Sequence, residues 1–128
     1  MGSSAEFSAS ASRIPGIAIR GATIGGVQIE GDAVLRPMLQ GDHVQLMHLK
    51  LKAGYHHPRH SHPDNESIGF VVSGQIEMTI ADETHLLGPG DAWWHPKGVY
   101  HSTTAIEDSI AVELHAPRRE DYLAHFLG

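Results

Sequence analysis

Between Ala33 and His115 the chain is a series of short strand-type runs, each closed by a glycine, proline or aspartate. That spacing constrains the fold more than any other feature, because parallel strands would need helical crossovers between them and none intervenes. Ala33–Leu39 stops at Gln40-Gly41-Asp42. Val44–Lys52 alternates, with Met47, Leu49 and Leu51 on one face, and ends at Ala53-Gly54. Ile68–Val72 runs into the tight-turn pair Ser73-Gly74, and Ile76, Met78 and Ile80 then share a face. Ala81-Asp82-Glu83 leads into Thr84–Leu87, and Gly88-Pro89-Gly90-Asp91 turns the chain into Ala92–His95. Pro96-Lys97-Gly98 precedes Val99–Thr104, and Ser109–His115 is the last clear strand. An all-β sandwich or barrel follows. Only the tail differs: Pro117 suits a first helical turn, and Tyr122, Leu123, Phe126 and Leu127 recur at helical spacing, so a short packing helix is expected there.

A chain of 128 residues fits one domain with a core of its own. Residues 1–12 are small and polar and open on Met1-Gly2-Ser3-Ser4, which reads as a tag remnant or a flexible arm; the domain is expected over 13–128. There is no cysteine, which excludes disulfides, thiolate zinc sites and iron–sulfur clusters. The formal charge is −6 and the basic residues are scattered, so nucleic acid is not an expected partner. No apolar run approaches a membrane span and no leader pattern opens the chain, so a cytoplasmic protein is the expectation.

The unusual count is 11 histidines. His60 and His62 stand at i and i+2, which points both side chains to one face of an extended segment. Glu66 follows closely, and His101 lies on a separate strand. Three imidazoles and an oxygen form a donor set for a borderline divalent metal. His56 and His57 either line the mouth of such a site or sit in an exposed loop; His95 is a candidate supporting residue; His43, His85 and His125 read as surface residues.

Gly54-x5-His60-x-His62-x3-Glu66, followed by Gly74, resembles the first cupin motif, and Gly90-x5-Pro96-x-Gly98-x2-His101 resembles the second. The resemblance implies a double-stranded β-helix, or jelly-roll barrel, holding one divalent ion (Fe, Mn, Zn, Ni or Co) on His60, His62, Glu66 and His101. One residue too many separates Glu66 from Gly74, so Ser67 competes for the fourth slot, and a bulge near Asp64-Asn65 would favour Glu66.

His60-Ser61-His62-Pro63, Ile68–Gly74, Gly90–Trp94 and the tail Ala116-Pro117-Arg118-Arg119-Glu120-Asp121-Tyr122 are similar to the single-domain cupins of pectin and alginate breakdown. Those proteins convert 4,5-unsaturated monouronates to linear keto sugars. The likeness implies an acid/base carboxylate at Glu113, where the family has Asp, and a pocket residue at His115, where it has Phe. It also implies a carboxylate clamp at Arg119. On the strand itself two arrangements are open: Ile110, Val112 and Leu114 fill the lumen, or Glu113 and His115 do. The adjacent Trp93 and Trp94 must point opposite ways, one to the core.

The expected function is therefore a metal-dependent enzyme of proton-transfer (isomerase or lyase) type, acting on a small carboxylate-bearing substrate such as an unsaturated uronate. An O2-using cupin and a non-catalytic small-molecule-binding cupin are the alternatives. A homodimer is expected by analogy with small cupins.

Overall fold

The structure, a computed structural model, describes residues 7–119. The expected C-terminal helix, and His125 with it, lie outside the described residues, as does Met1–Glu6 of the expected arm. Ala11–Arg13 forms a single 3-10 turn. Twelve strands follow: β1 (Ile17–Ala18), β2 (Thr23–Ile24), β3 (Val27–Gln28), β4 (Ala33–Gln40), β5 (Gln45–Leu51), β6 (His56–His60), β7 (Glu66–Ser73), β8 (Ile76–Ile80), β9 (Glu83–Leu87), β10 (Ala92–His95), β11 (His101–Ala105) and β12 (Ser109–Ala116). Among the described residues no helix is long and apolar enough to cross a membrane.

The strands form two antiparallel sheets of a jelly roll. The larger runs β1-β4-β5-β12-β7-β10, the smaller β6-β11-β8-β9, and β2 and β3 make a separate hairpin. Neighbouring strands in each sheet are mostly not consecutive in sequence, so the chain crosses repeatedly between sheets and closes the core between them. That core is apolar at one end, where Met47, Leu51, Val71, Ile76, Met78 and Ala111 are almost fully enclosed.

Register decides what the other end contains. On the inner face of the large sheet Gln45 lies beside His115, His115 beside Ser67, and Ser67 beside His95. The next inner row sets Met47 beside Glu113, Glu113 beside Gly69, and Gly69 beside Trp93. Gln45, Ser67, His95 and His115 are all buried, so a polar row spans the barrel interior. Gly69 makes room for this arrangement: a Cβ there would sit 1.9 Å from Trp93 Cζ2, because the indole lies flat across its backbone.

Strand β12 thus resolves the choice left open by its alternation. Glu113 and His115 face the lumen, and Ile110, Val112 and Leu114 face outward. The same holds in β7, where Ser67, Gly69 and Val71 point in while Ile68, Phe70 and Val72 are about half exposed. With Trp94 and Leu114, these residues give the large sheet an apolar outer face.

Candidate metal centre

His60 ends β6 and His101 opens β11, and the two are cross-strand partners. His62 lies just beyond β6, and its ring centroid is 4.8 Å from that of His60 and 5.4 Å from that of His101. The ligand nitrogens of the three residues all lie within 4.8 Å of one another. His60 Nδ1 is 2.7 Å from the Pro58 carbonyl and His101 Nδ1 is 3.1 Å from that of Val99. A carbonyl only accepts, so each Nδ1 carries the proton and each Nε2 turns a lone pair to the centre. His62 Nε2 lies 3.3 Å from Arg119 Nη1, which only donates, so this nitrogen also carries a lone pair, here engaged by the guanidinium.

Burial drives all three imidazoles toward the neutral form that binds metals. The pKa of His60 falls to about 3, chiefly by desolvation and then by the neighbouring His57. His62 is lowered by desolvation and then by the Arg119 charge. His101 is lowered by desolvation, against the opposing hydrogen bond to Val99. A shared cation would give the buried lone pairs of His60 and His101 a common partner, with a His62 nitrogen within reach as the third donor, so the donor set fits a divalent metal.

Glu66 does not join them, which corrects the expected fourth ligand. It opens β7 with its side chain on the outer face, accepting a hydrogen bond from Trp94 Nε1 at 2.9 Å. The register shift in β7 comes later, at Val72, where Ile110 pairs with Ser73 and Ala111 with Val71; at the start of the strand Ser67 pairs with both His115 and His95 and takes the inner slot. Ser67 Oγ lies 3.2 Å from His95 Nδ1 and donates to Glu113 Oε2 at 3.2 Å.

Glu113 sits beside the triad in the same cavity. His115 Nε2 lies 2.7 Å from its Oε1, and Trp93 Nε1 donates to Oε2 at 3.2 Å. Burial would raise the pKa of this carboxyl, but His115, through its charge when protonated and through its hydrogen bond, and then His95 and His101 when protonated, outweigh burial and lower it. Trp93 is the inward tryptophan of the pair. His95 stacks on His101 with ring centroids 3.6 Å apart, and burial lowers its pKa to about 3.

Sequence reasoning missed two parts of this site. Gln45 shares the inward parity of Met47 and Leu51, and a polar residue at that parity was the available signal. The β2–β3 hairpin gave none, since two-residue strands carry no periodicity. Its Gly25 approaches the ligands so closely that a Cβ would meet His60 Cδ2 at 2.5 Å. His57, buried, donates from Nε2 to the Ile24 carbonyl at 2.9 Å and stacks on His60 at 3.6 Å, so it links hairpin to ligand. His56 instead bonds Thr104 Oγ1 through Nδ1 at 2.8 Å.

A cupin domain profile matches residues 47–116, more than half of the chain. The chain belongs to the cupin family. KdgF from a Halomonas species is 30% identical, with a TM-score of 0.68, over 70% of this chain and 83% of that one. An RmlC-like cupin from Shewanella frigidimarina superposes with a TM-score of 0.78 over 92% of this chain and 96% of its own, at 18% identity, a likeness of fold. The dimethylsulfoniopropionate lyase DddQ of Ruegeria pomeroyi is 36% identical over 58 residues, which is 44% of this chain and only 28% of the lyase's length. As a cupin with KdgF as a relative, this chain matches the family expected from its motifs.

Proposed function

We propose that this cupin is a metal-dependent enzyme of proton-transfer type, isomerase- or lyase-like, acting on a small carboxylate-bearing substrate such as an unsaturated uronate. One observation carries the proposal: Glu113 and Arg119 line the same cavity as His60, His62 and His101. A divalent ion held by the three imidazoles would supply a Lewis acid to a substrate carbonyl or hydroxyl oxygen. Arg119 offers a planar fork for a carboxylate beside His62. Glu113, ionised and within the cavity, accepts a proton from the substrate and returns it. Trp93, Ser67 and His115 hold its two oxygens in place.

The cavity measures about 60 Å³, room for about two waters. It takes the reacting end of a sugar acid rather than the whole. A cleft of about 340 Å³ that shares His62, Asn65 and Arg119 with the cavity would take the rest. The likeness to KdgF supports the uronate class, and DddQ, by its name, is a lyase of another carboxylate.

The test is loss of 4,5-unsaturated uronate absorbance after loading with Fe, Mn, Zn, Ni or Co in turn. Glu113→Gln should lower kcat by about 10²–10⁴ and Arg119→Ala should chiefly raise KM. Uronate turnover that survives Glu113→Gln would overturn the assigned role, and no turnover with any metal would overturn the substrate class. A second reading, an O2-using cupin, draws on the three-imidazole set, which among the described residues has no carboxylate ligand and so leaves coordination positions open. Oxygen uptake by the iron-loaded protein distinguishes it. The apolar outer face of Ile68, Phe70, Val72, Trp94 and Leu114 supports pairing of two copies, which sedimentation measures.

A further inference from the structure

The inner polar row of the large sheet has a direction that can be read from heavy atoms alone. Arg119 carries a backbone N–H, which only donates, 3.1 Å from Gln45 Oε1. That contact fixes the amide: oxygen toward Arg119, NH2 toward His115. Gln45 Nε2 lies 3.0 Å from His115 Nδ1, and an NH2 group there must donate. His115 Nδ1 is therefore the lone-pair nitrogen. The imidazole proton sits on Nε2, where it donates to Glu113 Oε1 at 2.7 Å. Each bond in the chain sets the polarity of the next.

We infer that Gln45 is a positioning residue: it locks His115 as the neutral Nε2–H tautomer, so that Glu113 is held as an acceptor while the backbone carrying Arg119 is tethered to the same amide. Gln45 and His115 are only 1% and 3% exposed, so water does not compete for these atoms. The other tautomer would face a lone pair against the Glu113 carboxylate. A doubly protonated ring would set Nδ1–H against the NH2 of Gln45. The lock removes both, and the buried pair keeps a single negative charge. Of the two ways in which His115 stabilises the carboxylate, the hydrogen bond remains and a full positive charge does not. Glu113 thus stays a better base than it would be beside an imidazolium. The lock stands on this geometry; its catalytic meaning rests on the proposed role of Glu113.

The experiment is a long-range ¹H–¹⁵N correlation of the histidine rings in the intact, metal-loaded chain, with His115 assigned by the signal lost in His115→Phe. The expected wild-type pattern is Nε2–H. Gln45→Glu retains an acceptor for Arg119 but has no proton for Nδ1, so it should move the His115 proton to Nδ1 or add a second. Gln45→Met, without either function, should give mixed tautomers. A wild-type ring in the Nδ1–H form overturns the inference, whether or not the variants fold, and so does a ring unaltered in Gln45→Glu. With substrate, Gln45→Glu should lower kcat by about tenfold or more while KM stays near wild type, a split that simple loss of packing would not produce. Tautomer spectra need no substrate. A confirmed lock without uronate turnover would sink the proposed reaction alone, and turnover without the lock would sink this inference alone.

Discussion

Substituting Gly69 by alanine should be among the most damaging one-methyl changes available in this barrel. The glycine lies on the inner face of β7 under the Trp93 ring, and an added Cβ would stand 1.9, 2.2 and 2.3 Å from three ring carbons. Real Cβ contacts do not come below about 3.0 Å, so the indole must move by an ångström or more. Trp93 is only 6% exposed and packed in the core, so it has little free space to move into. If the ring shifts within the core, overpacking costs about 1–3 kcal/mol. If it is expelled, some 200 Å² of aromatic surface returns to water, at 25 cal/mol per Å² a loss of about 5 kcal/mol. Either way the Trp93 bond to Glu113 Oε2 is stretched or broken, so the two consequences are linked. Urea unfolding followed by far-UV circular dichroism measures the first, with a fall of at least about 2 kcal/mol expected. Tryptophan fluorescence measures the second, since Trp93 and Trp94 are the two tryptophans and only Trp93 is buried. Wild-type stability, within about 0.5 kcal/mol, together with an unchanged emission spectrum would refute the argument that Gly69 exists to seat this ring.

His101→Ala should abolish stoichiometric metal retention, measured by elemental analysis, whereas Glu66→Ala should leave it unchanged; metal loss in Glu66→Ala would show that the outer-face position of Glu66 does not describe the loaded protein. Adding the native divalent ion at a hundredfold excess over its Kd should stabilise the fold by about 2.7 kcal/mol, read as a rise in Tm that His101→Ala removes. In metal-free protein, stability should fall as pH drops from about 6.5 toward about 4. His57 and His95 have folded pKa values lowered by burial to about 4 and about 3, so below 6.5 the unfolded chain binds more protons than the folded one. Denaturant midpoints across that range test the sign, and a midpoint that rises on acidification would contradict it.

Much of the barrel was legible because turn chemistry and alternation are local properties. Ala92–His95 was bounded correctly, and Met47, Leu51, Ile76 and Met78 are inward as their parity implied. The histidine triad was legible too, since two motifs specify it through their turns. What alternation cannot show is which face a sheet buries. Ile110, Val112 and Leu114 look like a core stripe, yet they lie on the outer surface because the inner positions are taken by a hydrogen-bonded polar row. The fourth-ligand position failed for a related reason. Glu66 and Ser67 differ by one residue of register, and what settles register here is pairing with His115 and His95, both distant in sequence.

The β2–β3 hairpin lies before the residues that match the cupin profile, 47–116, yet it packs against the imidazoles that this span supplies. Ligand supply and access are therefore borne by separate stretches of chain. The barrel can keep its three nitrogens unchanged while the roof above them is remodelled, and Gly25 is where the roof comes nearest. Loop grafting at 23–28 is accordingly a route to a differently sized entrance over the same ion site, reached without altering a single donor atom.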